Sequence, residues 1–462
     1  MRSCRFCVWR KVNMTGRLTH RLFSKIKIMN KALNVENTTN PPSDFRTSRV
    51  RYRVLTLAVL LAGITYLDRV CISLTAPAMM QDLGLSKVQM SLVFSAFTLA
   101  YGIFEIPTGW WGDRIGTRRV LTRIVIWWSS FTMITAGAFN YASLLAIRFL
   151  FGIGEAGAWP NAAKTFSRWF PVTERGTAQG IFFMGAHLAG GITPLLVTAM
   201  LTRMHWRWVF IVFGAVGFIW AATWYWWFRD EPEQHKSVSP AELAYIQQGR
   251  GKATSHQLSA AAWKNILTNR SLIALCLAYF TQTYGFYFFI TWMPTYLEKA
   301  RGFTSTMLGV MAGLPLVLSA AADIFGGITT DWATKRFGLR IGRCGVGSIC
   351  FLFASVLLII GTATQHNITA VVLISLALAS SNFLLGASWS ACTDIAGDHA
   401  GTVSAFMNTA GQVGGFLSPI VAALFVEKYG SWSAPLYVCG VLYFFGALCW
   451  WLVDPRKPIV MD

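Results

Sequence analysis

The sequence predicts an all-α membrane protein of twelve transmembrane helices arranged as two pseudo-symmetric six-helix bundles. Three observations lead there. The 462 residues are 54% hydrophobic and only 13% charged, with 20 Trp and 33 Phe and a mean hydropathy of +0.47, a balance that no ordinary soluble domain carries. Apolar runs of the length that crosses a bilayer as a helix recur twelve times. Short motifs in the first half then return in the second at a nearly constant offset.

In chain order, residues 1–53 form a basic arm with 13 Lys and Arg against two acids. It has no apolar core followed by a small-residue cleavage site, so the first span is expected to serve as the insertion signal. Met29 opens an ordinary polar leader, so the first 28 residues read as an over-extended start. Cys4 and Cys7 make a lone CxxC without the second pair that zinc requires, and no metal is expected. The first six spans are 54–76, 88–110, 119–138, 141–163, 177–201 and 207–228, which make an N-terminal bundle over 54–228. Residues 229–270 are a polar connection in which Ser239, Pro240 and Glu242 have the spacing of a capping box, so a short amphipathic helix is expected. The remaining spans, 271–293, 306–328, 342–362, 368–392, 400–427 and 431–453, make a C-terminal bundle over 271–453, and 454–462 is a tail. The seven cysteines in or beside spans read as small packing residues without disulfides.

Placing both termini and the even-to-odd connections on one side gathers 32 of the 40 Lys and Arg there, against six on the other. By the positive-inside rule the basic side is cytoplasmic. The net charge of +20 is then accounted for by anionic lipid rather than nucleic acid.

The repeat is visible in the letters. GWWGDRIGTRR follows the second span, with Gly109, Asp113, Arg114, Gly116 and Arg118; GITTDWATKRFG follows the eighth, with Gly327, Asp331, Lys335 and Arg336. Both Gly and Asp recur after 218 residues. GGITP from Gly190 in the fifth span and GGFLSP from Gly414 in the eleventh recur after 224. Tight turns that put basic side chains beside an Asp suit a latch between helix ends, made of Gly109, Asp113, Arg114, Arg118 and Asp331. Paired glycines let helices approach closely.

These loops resemble the signature of the major facilitator superfamily. YLDR at 66–69, FGIGEAGAWPN at 151–161, DEPEQHKSVSPAELAYI at 230–246 and FFITWMPTYL at 288–297 are similar to its anion:cation symporter branch. That branch holds bacterial D-galactonate, hexuronate and glucarate carriers and animal organic-anion and vesicular glutamate carriers. The resemblance runs from about residue 50 to 455. It implies a secondary transporter working by alternating access in the cell (inner) membrane, as a monomer, with a small organic anion and protons as partners and no cofactor.

Four ionisable residues inside spans carry the chemistry. At about 1.5 Å per residue, Asp68 and Arg148 lie level, and Arg69 lies above Glu155 within its reach. Charges facing lipid cost at least about 2.5–3.5 kcal/mol each, so the four are expected to face one another or a wet cavity. Arg69 is the expected anchor for a carboxylate because it stays charged and binds through two parallel bonds. Glu155 and Asp68 are the expected proton-coupling groups, their charge depending on whether the neighbouring arginines are occupied; the resemblance supports these roles. Arg148, Tyr101, Tyr284, Asn408, Gln282, Gln412, Ser388 and Trp389 are expected to complete the substrate cage, with Tyr279 and Asn382 as further candidates. His187 stands where the resemblance implies Gln, so it is expected either to alter substrate choice or pH response or to act as a neutral hydrogen-bonding side chain. Glu105 and Asp323 read as neighbours of the basic latch loops. No GxSxG, HExxH or Walker lysine is present, so an enzyme or ATP-driven pump is not expected. The competing readings are an antiporter or potential-driven anion carrier, and a transport-dead sensor.

Overall fold

The computed structural model describes residues 48–248, 260–303 and 305–459. The basic arm up to residue 47, including Cys4, Cys7, Met14 and Met29, lies outside the described residues, as does 249–259 of the polar connection. Helices follow in the order α1 Val50–Leu83, α2 Lys87–Ile115, α3 Thr117–Thr135, α4 Tyr141–Glu155, α5 Ala158–Trp169, α6 Arg175–Leu201, α7 Trp206–Trp227, α8 Pro240–Ile246 and α9 Ala260–Thr268. Then come α10 Arg270–Lys299, α11 Ser305–Phe337, α12 Val346–Ala363 behind a π turn at Ile341–Gly345, α13 Asn367–Phe383, α14 Leu385–Ala396, α15 Ala400–Tyr429 and α16 Ala434–Trp451. Every expected span is helical. Apolar faces such as Ile349, Phe325 and Trp451 are turned outward, as a lipid solvent requires, while the seven described cysteines are free.

Packing repeats with the sequence. In the first half α1 lies on α6, α2 on α4 and α3 on α7; in the second half α10 lies on α15, α11 on α13 and α12 on α16. The halves meet through α6 with α11 and α14, and reciprocally through α15 with α2 and α5. These helices form one compact unit, Arg49–Val238 with Leu243–Asp462.

A small second unit includes Ser48 and Ser239–Glu242. There Ser239 Oγ accepts from the Glu242 N–H at 3.2 Å, the first bond of the expected capping box. Ser48 supplies the second: its hydroxyl donates to Glu242 Oε2 at 2.6 Å and accepts from the Ser239 N–H at 2.7 Å.

Two spans expected to be continuous are broken. The fourth parts after Glu155, where Ala156 is extended and Gly157 takes φ +87°. That conformation suits glycine, and a Cβ there would meet Thr108. The Gly157 carbonyl accepts both the backbone N–H of Asn161 at 3.1 Å and its side-chain amide at 2.8 Å, and that amide also donates to the Thr108 carbonyl at 3.2 Å, meeting the demand that backbone groups inside a membrane find partners. The tenth span parts more mildly at Leu384, between α13 and α14, where the backbone stays right-handed at φ −81°, ψ −5°.

Candidate functional site

On the basic side the halves are sealed by a twice-repeated arrangement. Asp113, at the end of α2, accepts from the Gly401 and Thr402 N–H groups at 3.0 and 2.6 Å in the first turn of α15. Asp331, at the end of α11, accepts from the Gly176 and Thr177 N–H groups at 3.0 and 2.6 Å in the first turn of α6. A carboxylate on the free N–H groups of a helix start is favoured by hydrogen bonding and by the helix dipole together. The glycines make room, because a Cβ on Gly109 would collide with the Gly401 carbonyl and one on Gly327 with that of Gly176.

The basic partners differ from the expected ones. Lys164 of α5, 3.0 Å away, pairs with Asp113, while Arg114 lies over the Trp110 ring at 5.4 Å. Arg118 lies over Tyr225 and donates to its carbonyl at 2.7 Å, tying α3 to the end of α7 rather than to the other half. Asp331 is paired at 2.9 Å with the fully buried Arg343 of the π turn, which also reaches Asp394. Lys335 and Arg336 are exposed. The motif holds the acids, whereas their cations come from elements that sequence proximity does not mark.

Above the seal lies a cavity of about 70 Å³. From the first half Tyr66, Arg69, Trp159, Phe183 and His187 line it; from the second come Tyr279, Gln282, Thr283, Phe286, Tyr287, Asn382, Leu385, Trp389, Asn408 and Gln412. Its polar wall is already cross-bonded. Gln282 donates to Asn382 at 2.8 Å, Tyr287 to Gln412 at 3.3 Å and Trp389 to Tyr279 at 3.2 Å. Amides and hydroxyls so arranged can exchange partners with the hydroxyl groups of a polar solute.

Arg69 forms a direct ion pair with Glu155, Nε to Oε1, and lies over the Tyr101 ring at 4.8 Å. Glu155 is fully buried and its second oxygen has no hydrogen-bond partner. Asp68 and Arg148 are both buried and within electrostatic reach of each other, but make no direct ion pair. Both Asp68 oxygens are buried without a hydrogen-bond partner, and the Arg148 guanidinium rests on the Phe151 ring at 4.1 Å. The geometry of α1 explains this: consecutive helical residues point about 100° apart, so with Arg69 facing the cavity, Asp68 faces the interior of its own half.

Of the other expected residues, Tyr101 is buried beneath Arg69 beside Asn408, whose Nδ2 lies 3.5 Å from its hydroxyl. Tyr284 does not reach the cavity. Residues 279, 282, 283 and 286 share one face of α10, and 284 is turned away against Phe280. Ser388 is likewise turned away, donating to the Leu384 carbonyl at 3.1 Å. Glu105 and Asp323 do not contact the latch loops. Glu105 takes the amide of Asn408, and Asp323 takes His187 at 2.6 Å, so each joins the two halves. Tyr66, Trp159, Phe183, Thr283, Phe286 and Tyr287 were not among the expected site residues; Tyr66 could have been found three residues before Arg69, on the same helix face.

Residues 58–419 match the Major Facilitator Superfamily. The chain belongs to the major facilitator superfamily. It is an integral membrane transporter, not an enzyme. Among its relatives, the probable sulfoacetate transporter SauU of Cupriavidus necator is 36% identical over 88% of this chain and 94% of its own. The probable galactarate/D-glucarate transporter GudP of Bacillus subtilis is 34% identical over 91% and 95%. The D-galactonate transporter of Escherichia coli is 30% identical over 87% and 95%. In fold, the proton:xylose symporter XylE superposes with a TM-score of 0.71 at 14% identity, covering 90% of this chain and 98% of that one. The helical architecture, with a cavity between the two halves, thus fits that of the superfamily.

Proposed function

We propose that the protein is a proton-coupled symporter that takes up an organic anion, a sugar acid such as galactonate, a hexuronate or glucarate, by alternating access. The observation that carries this reading is the ion pair of Arg69 with Glu155 at the cavity wall. Arg69 is the one guanidinium among the described lining residues, so a substrate carboxylate and Glu155 compete for it. Protonating Glu155 frees Arg69 for bidentate capture of the anion. Protonating Asp68 loosens its electrostatic hold on Arg148, and the loaded carrier rocks open on the other side. The basic face is the cytoplasmic one, with both termini there, and the form described is sealed toward it through Asp113 and Asp331. The relatives' named cargoes support an acidic substrate, and the second half's amides and hydroxyls suit a polyhydroxylated one. One molecule suffices, since the cavity lies within a single chain.

The test is uptake into proteoliposomes with and without an inward proton gradient, offering galactonate, glucuronate, glucarate, phthalate and neutral galactose in turn. Gradient-driven uptake of an acidic sugar, with none of galactose, is the expected result. Silence for every anion from correctly folded protein would overturn it.

A further inference from the structure

Two basic side chains, Arg69 and His187, line the cavity, and none of its described lining residues is acidic. Arg69 belongs to α1 and His187 to α6, with Tyr66 between them: its ring meets His187 edge-on at a centroid distance of 6.0 Å, three residues before Arg69 on the same helix. Behind His187 stands Asp323, fully buried on α11, its Oδ2 2.6 Å from Nδ1 and its Oδ1 without a partner. With Nδ1 engaged, Nε2 is the nitrogen left for the cavity.

A carboxylate therefore stands directly behind the ring while its other nitrogen faces the cavity. An imidazole held between two acidic groups can donate to both, one N–H to each, so an acidic group arriving at Nε2 meets a ring already oriented to receive it. Phe286, 5.7 Å from the imidazole centroid, and Tyr66 flank the ring and limit its turning.

We propose that His187, oriented by Asp323, receives a second acidic group on the transported molecule, so that the carrier prefers short diacids, dicarboxylate or sulfonated carboxylate, over the matching monoacids. This inference rests on the anion-transport reading and assigns its substrate class. One acid occupies Arg69 and the other His187, with the hydroxyls between them facing the amide wall. Asp323 touches no substrate; it is a positioning residue that holds Nδ1 and so turns Nε2 to the cavity.

The matched probes are D-glucarate and D-gluconate, which differ only in the second carboxylate. Competition by each for uptake, with KM and kcat separated, is compared between the wild type, His187→Gln, and the double variant His187→Phe/Asp323→Leu. The double variant removes both buried polar partners together, the change least costly to folding. The wild type is expected to favour glucarate. In the double variant the glucarate-to-gluconate preference should fall about tenfold or more through KM, the size of a charge-assisted hydrogen bond. His187→Gln should lie between, because its amide still donates. A wild type that favours gluconate, or a preference that stays within about twofold in both variants, overturns the inference and leaves anion transport standing. If the wild type moves neither acid nor any other anion, the transport reading fails first and this one with it.

Discussion

At the scale of single residues, the functional reading comes down to which charges touch. Arg69 and Glu155 were legible from the sequence because ionised groups are rare inside apolar spans and a long Arg can descend to an acid one helix away. The tie of Asp68 to Arg148 was read from depth alone, and depth does not report the 100° turn between consecutive helical residues that sends Asp68 away from the cavity. Glu105 and Asp323 were misplaced for a related reason: each is buried against a polar side chain of the other half, Asn408 or His187, and one-dimensional hydropathy carries no sign of a partner about 300 or 136 residues distant. Arg69→Lys tests the anchor. The ammonium keeps the charge but loses the two-pronged geometry, so substrate affinity should fall about ten- to a hundredfold, corresponding to a lost charged hydrogen bond of roughly 1.5–3 kcal/mol, as read by KM for uptake.

At the scale of elements, the twelve spans and the repeat could be read directly, since length, hydropathy and a shared offset are properties of sequence. The breaks in the fourth and tenth spans could not. Gly157 lies in a run of small residues that a continuous helix also accepts, and Leu384 carries no breaking residue at all. The latch acids were visible in the repeat, but Lys164 and Arg343, their cations, sit on neighbouring elements. Because Asp113 and Asp331 make equivalent bonds to the starts of α15 and α6, they should contribute similarly to sealing the basic face. Asp113→Asn and Asp331→Asn each remove the charge from those helix starts, and each should shift the population toward the form open on that face by about tenfold, the double variant further. Maleimide labelling of a cysteine placed at Ala405, which faces Gly109 across the seal, measures this in a background without the native cysteines. Faster labelling in each variant is expected; unchanged labelling in both would show that the seal does not depend on these carboxylates.

At the scale of the whole molecule, a cavity above two repeated seals, with exposed apolar flanks, is the arrangement that the proposed alternating access needs. The superfamily and this plan were readable before the structure; the cargo's shape was not, because the lining is assembled from helices of both halves and only their packing brings His187, Gln282 and Asn408 to one space. If Asp68 and Glu155 each take a proton, a singly charged acid moves with one net positive charge, so uptake of galactonate should carry inward current and be stimulated by an inside-negative potential. The central claim is that Glu155 couples protons to the anion through Arg69, and the most direct measurement compares wild type and Glu155→Gln in proteoliposomes in two assays, accumulation driven by a proton gradient and exchange of labelled substrate without one. The account predicts that the variant retains exchange while its proton-driven accumulation falls steeply, because a neutral side chain frees Arg69 permanently but carries no proton, leaving only the Asp68 proton for coupling. A Glu155→Gln protein that concentrates its substrate as far as the wild type does when driven by protons would contradict it.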